Sequence, residues 1–153
     1  VVIVERRSIV GAPVEQVWQR VVTPEGINHE LRPWMTMIMP RGAKDLTVDT
    51  LPVGEPIGRC WMLLFGVLPF DYDHLTIAEL APGRGFDEQS TMLSMRSWRH
   101  QRTLEPDGSK TVVRDRLTFE LRAPLRVLTP VIAAGIGALF THRQRRLRNY
   151  FDG

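Results

Sequence analysis

The chain of 153 residues has a single cysteine, Cys60. No disulfide can form within it and no thiolate zinc cluster can be built, and that usage fits a reducing, cytoplasmic compartment. Lysine is almost missing too: Lys44 and Lys110 stand against a basic side that is otherwise arginine, for a formal net charge of +3. Long apolar runs are also missing. The strongest, Val127 to Phe140, extends over about 14 residues and is interrupted by Thr129 and Pro130, where a membrane-spanning helix needs about 20. No integral membrane contact is therefore expected. Glu5, Arg6 and Arg7 break the apolar N-terminal run and no small-residue cleavage site follows it, so no signal peptide is expected. His29, His74 and His142 have no metal-ligand spacing with one another or with Cys60, and no GxSxG nucleophile elbow occurs. Neither a metal nor a cofactor is expected.

What is present is an ordinary globular composition, with 43% hydrophobic and 24% charged residues. A chain of this length buries roughly 68–70% of its unfolded surface, so residues 1–153 are read as one domain with its own core.

Residues 2–10 are rich in Val and Ile and predict a strand that Gly11 ends. Pro13 then opens a helix in which Val14, Val17, Trp18, Val21 and Val22 share one face. Thr23 and Pro24 read as the N-cap and first residue of a second helix, with Ile27 and Leu31 inward and Pro33 closing it. A strand is expected over 34–39 and a loop or ragged edge over 40–56. Strands follow near 58–65, 70–80, 85–94, 96–105 and 110–121, the last two joined at Glu105-Pro106-Asp107-Gly108-Ser109. From about 130 to 151 the period changes to that of a helix, with Ile136, Leu139 or Phe140, and Leu147 turned inward. The fold class is α+β: an antiparallel sheet that needs a cover, and one long helix to supply it.

This order resembles the START-like (SRPBCC) superfamily over nearly the whole chain. The most specific segment is 86–115, where Phe86, the Trp98-Arg99-His100 triplet, the glycine-bearing turn and Asp115 are similar to bacterial ligand-binding members. Glu88 stands where many relatives carry Asp, and Leu93-Ser94 where they carry Gly-Pro. The resemblance implies a helix-grip fold, with a cavity between curved sheet and C-terminal helix opening near the two short helices. Members bind lipids, sterols, polyketides or plant hormones there, and some catalyse cyclisation or dehydration.

Strand alternation sharpens the site. Trp98, His100, Arg102 and Leu104 share one face, and Val113, Asp115, Leu117, Phe119 and Leu121 share another. Asp115 is the one charge in its set and needs a partner. If Leu104 lies opposite Thr111, Arg102 faces Val113, His100 faces Asp115 and Trp98 faces Leu117. A two-residue slip would place Asp115 opposite Trp98. His100 and Asp115 either orient a ligand and move protons or form a structural network. Glu88, on one face with Phe86, Ser90 and Met92, is either a third acid/base candidate or a solvated carboxylate. Arg143 interrupts the apolar stripe of the helix, and its favoured reading is an anchor whose head reaches water. The six methionines read as core filling that could also line an adaptable cavity. Gly135 and Gly137 imply a close approach of backbone to sheet or ligand.

The expected function is binding of a hydrophobic small molecule in a cavity of roughly 300–1,000 Å³. Its expected contacts are Trp98, His100, Arg102, Asp115, Leu117, Phe119, Ile136, Leu139, Phe140 and Arg143. One alternative is an aromatase/cyclase-type enzyme using His100, Asp115 or Glu88. Another is a basic module docking on RNA or an anionic membrane through Arg143, Arg145, Arg146 and Arg148, although cations at a helix C-terminus are matched to its dipole and no aromatics interleave to stack bases. The oligomeric state is left open.

Overall fold

A computed structural model describes residues 1–43 and 45–152. Lys44, within the expected 40–56 loop, and Gly153, at the end of the expected domain, lie outside the described residues. The elements are β1 (Val2–Val10), α1 (Val14–Val21), α2 (Pro24–Leu31), β2 (Met35–Ile38), β3 (Pro56–Leu64), β4 (Leu68–Ala81), β5 (Gly85–Met92), β6 (Met95–Asp107), β7 (Lys110–Leu121) and α3 (Thr129–Asp152). Thr23 caps α2 through its hydroxyl, which accepts from the Gly26 amide at 2.9 Å. The stretch expected as loop contains two single 3-10 turns, Arg41–Ala43 and Val48–Thr50.

All seven strands form one antiparallel sheet in the order β1-β7-β6-β5-β4-β3-β2. The α+β helix-grip reading holds: two short helices and one long helix cover the inner face. Along α3, Gly137, Phe140, Arg143, Gln144 and Leu147 are buried, which is the expected face, while Ile136 and Leu139 are half-buried at its edge.

The register of the β6–β7 hairpin differs from expectation. Both strands run further into the turn, so Asp107 pairs with Lys110 across a turn of Gly108 and Ser109. Gly108 takes the left-handed conformation, φ +61°, that such a tight connection favours. Leu104 therefore faces Val113, Arg102 faces Asp115, His100 faces Leu117 and Trp98 faces Phe119. The displacement is two residues, so the inward-facing sets are unchanged.

Two further expectations are revised. A 3-10 turn, Ala123–Leu128, runs directly into α3, and the combined helical stretch Ala123–Asp152 is long and apolar enough to cross a membrane by length and composition. In the fold, α3 packs against β1, β7 and α2. Of the two helix glycines, only Gly137 sits at a close approach: a Cβ there would lie 2.5 Å from Nη2 of Arg6 on β1. At Gly135 a Cβ would meet open space.

The buried apolar residues form two clusters. One gathers α1, the 3-10 turns and the inner faces of the strands around Val17, Leu75, Ile77 and Leu104. The other joins Met92, Met95, Leu117, Phe119, Leu121 and Phe140.

Candidate ligand cavity and buried charge network

Between these clusters lies a cavity of about 360 Å³. Leu75 and Ile77 come to it from the first cluster, and Met92, Met95, Leu121 and Phe140 from the second. Met35, Met37 and Met62 also line it, whereas Met39 packs in the core, where its sulfur accepts from the Cys60 thiol at 3.9 Å. Met35, Ile132, Ile136 and Leu139 line both this cavity and an outer groove with Trp34 and His142. The entrance thus lies between the α2–β2 connection and the first half of α3.

The expected contact residues divide into two groups. Trp98, His100, Ile136, Leu139, Phe140 and Arg143 line the cavity, as does Glu88. Arg102, Asp115, Leu117 and Phe119 do not line it. Leu117 and Phe119 are fully buried in the second cluster, and Arg102 and Asp115 are part of a charge network. Strand alternation places all four inward, but it does not separate a wall from the layer supporting it.

Arg102 is the centre of that network. Its Nη1 and Nη2 donate to the two Glu30 oxygens at 2.9 and 2.8 Å, and its Nε and Nη2 donate to the two Asp115 oxygens at 2.7 and 2.9 Å. The planar guanidinium thus clamps carboxylates from α2 and β7 at once. Gln144 Nε2 donates to Asp115 Oδ2 at 3.0 Å, and Arg143 Nε donates to Glu30 Oε1 at 3.2 Å, which ties α3 to the same charges. The expectation that the Arg143 head reaches water is overturned, since the residue is 8% exposed and its charge is paired inside. Arg146 is likewise engaged, donating to the His29 carbonyl at 2.9 Å. Two of the four arginines proposed as a basic stripe are therefore occupied in packing.

His100 reaches Asp115 despite the register difference, with Nε2 2.7 Å from Oδ1. Burial lowers the His100 pKa against the opposing pull of Asp115. The neutral ring then donates from Nε2, leaving Nδ1 as the remaining acceptor on a residue that lines the cavity. Phe86 and Phe140 hold the imidazole by edge contacts at 5.5 and 5.0 Å between ring centroids. For Asp115, burial works to raise the pKa, but Arg102 and His100 overcome it and hold the carboxyl well below the usual range.

A second polar group lies on the β4–β5 side. Glu88 is 7% exposed, so its reading as a solvated carboxylate is set aside. Its Oε2 accepts from Ser90 Oγ at 2.9 Å. Asp73, on β4, also lines the cavity, and its Oδ1 is buried without a hydrogen-bond partner. Burial raises both carboxyls, and the Glu88 charge raises Asp73 further.

Sequence reasoning missed Glu30, Asp73 and Gln144. Asp73 carried a legible signal, because it alternates with Leu75 and Ile77 on one face of β4. Glu30 stands three residues after Ile27, on the inward side of α2, but its partners come from residues 102 and 143.

The fold is found in solved structures of low sequence identity. Protein CV1439 from Chromobacterium violaceum superposes with a TM-score of 0.73 at 14% identity, covering 99% of this chain and 98% of that one. A START superfamily protein from Mycobacterium smegmatis gives 0.68 at 11%, covering 98% and 97%. DynU16, from the dynemicin biosynthetic locus, gives 0.63 at 16%, covering 98% of this chain and 47% of that one. These likenesses establish the START/SRPBCC helix-grip fold. No curated protein matches the chain. The family model described as a domain of unknown function, DUF8410, matches residues 8–151, and the chain belongs to that family.

Proposed function

We propose that residues 1–153 act as one ligand-binding domain that takes a hydrophobic small molecule between the sheet and α3. The observation that carries this reading is the 360 Å³ cavity, whose volume falls within the range of small-molecule sites. Its wall is mostly apolar, with Asp71, Asp73, Glu88, Ser94, His100 and Arg143 as polar groups. Methionines at the wall suit ligands of varied shape, because the side chain is unbranched and polarizable. The helix-grip fold is consistent with such a role but does not select it.

The test is native mass spectrometry of the purified full chain, followed by extraction and identification of what is released. A retained apolar molecule, lost when Leu139→Trp narrows the entrance, is the expected result. A ligand-free protein that takes up no apolar probe would overturn the proposal.

A second reading is acid/base catalysis on a bound substrate of aromatase/cyclase type. It is favoured by the His100–Asp115 contact of 2.7 Å at the cavity wall and by the Asp73 and Glu88 carboxyls on the same lining, whose pKa values burial raises. Arrangement of a neutral imidazole and a carboxylic acid around one apolar space provides a base and an acid at the same pH. DynU16, from a biosynthetic locus, shares the fold. Turnover of an extracted ligand that His100→Gln abolishes while binding persists would separate this reading from simple binding.

A further inference from the structure

The charges beside the cavity balance on one side and not on the other. Glu30 and Asp115 supply two negative charges, Arg102 and Arg143 two positive, and all four are joined by ion pairs. Asp71, Asp73 and Glu88 remain, all buried and all on the cavity lining, with no ion pair to a cation among the described residues. Ser90 Oγ donates to Glu88, but nothing donates to Asp73 Oδ1. Asp71, two residues earlier on the same face, differs, since it accepts from the Tyr72 amide and from Ser94.

The groups around Asp73 supply no cation of their own, although Glu88 and Ser90 come within hydrogen-bonding reach of its carboxyl. Cys60 lies opposite it on β3, and burial pushes that thiol up, so it stays neutral. Glu88 and Ser90 face it from β5 and the neutral His100 from β6. Among the described residues Arg143 on α3 is the one cation on the lining; its Nε is committed to Glu30, and its charge also acts on Glu88. A buried carboxylate pair without a cation is costly, and burial accordingly raises the pKa of both groups. A ligand bearing a carboxylate would add a further negative charge. An alcohol would reach Asp73 Oδ1 but bring no charge. An ammonium group supplies both the missing donor and the missing charge, and the aromatic rings of Phe86 and Trp98 on the same lining suit a cation as well.

We propose that the Asp73–Glu88 pair is the polar recognition point of the cavity, and that its ligand is an apolar body carrying one protonated amine. This rests on the ligand-binding reading above. Binding drives the pair toward its ionised form, so protons leave the carboxyls as the ammonium enters.

Isothermal titration of the full chain at pH 7 with 2-naphthylmethylamine, 2-naphthylmethanol and 2-naphthoate tests it, each in two buffers of different ionisation enthalpy. The amine should bind at least about tenfold more tightly than the other two, with proton release seen as a buffer-dependent heat. Asp73→Asn and Glu88→Gln should each remove the preference, with an unchanged far-UV circular dichroism spectrum and a cooperative thermal transition reporting that each variant is folded. Alcohol or naphthoate binding as tightly as the amine, or a preference that survives both substitutions, overturns the amine assignment and leaves the cavity reading standing. Failure of all three probes to bind overturns the cavity reading and the assignment with it.

Discussion

Arg102 and Asp115 stand directly opposite each other on β6 and β7 and share two hydrogen bonds, of 2.7 and 2.9 Å, with both residues about 1% exposed. The same guanidinium holds Glu30 with two more. Sheet and short helix are thus joined by one buried cation, and α3 is joined to the same carboxylates by Arg143 and Gln144.

Breaking that arrangement from one side should be severe. Asp115→Ala leaves Arg102 with a single carboxylate and removes the partner of His100, and a loss of about 3–5 kcal/mol is expected. Asp115→Asn keeps the shape and some hydrogen bonding, so its loss should be smaller. Urea unfolding of the two variants against the parent measures both.

Asp73 sets a pH dependence of opposite sign to Asp115. Its folded pKa lies above the unfolded value of about 3.9, so the folded state binds the proton more tightly. The stability that this proton provides is present below the unfolded pKa and is lost as pH rises toward the folded one. Asp73→Asn removes the effect. The variant should gain on the parent as pH rises from about 4 toward neutrality, measured as the difference in unfolding midpoint across that window. A difference that shrinks with rising pH would contradict it.

The two helix glycines should respond differently to alanine. Gly135 has open space around a new Cβ, and Gly135→Ala should stabilise by about 1 kcal/mol through helix propensity. Gly137→Ala must displace Arg6, whose Nε donates to Thr141 Oγ1 at 2.9 Å, and should gain less or lose. Thermal denaturation of both variants decides.

Leu139 lies on both the cavity and the outer groove. Leu139→Trp should lower the affinity of 2-naphthylmethanol at least about tenfold with little change in thermal midpoint, because the added bulk sits at a half-buried entrance. Unchanged affinity would place the route of entry elsewhere.

Local pattern determined the element order, the faces of the strands and the covering helix. The alternation of Trp98, His100, Arg102 and Leu104 and the helical spacing of Phe140, Arg143 and Leu147 are periodicities that short-range geometry imposes, so they read directly from the chain. The charge partners were decided by tertiary structure. Whether Asp115 meets Arg102 or His100 first depends on a two-residue register that the Gly108-Ser109 turn sets, and the inward face is identical in either case. Glu30 looked like one acidic residue on a short helix until the fold brought it to Arg102, 72 positions away, and to Arg143, 113 positions away. Asp73 is legible as an inward residue, but that its Oδ1 is left without a partner is a property of the packed cavity alone. Pairing between distant segments is chosen by desolvation and geometry in three dimensions, for which a single sequence carries no periodic signal.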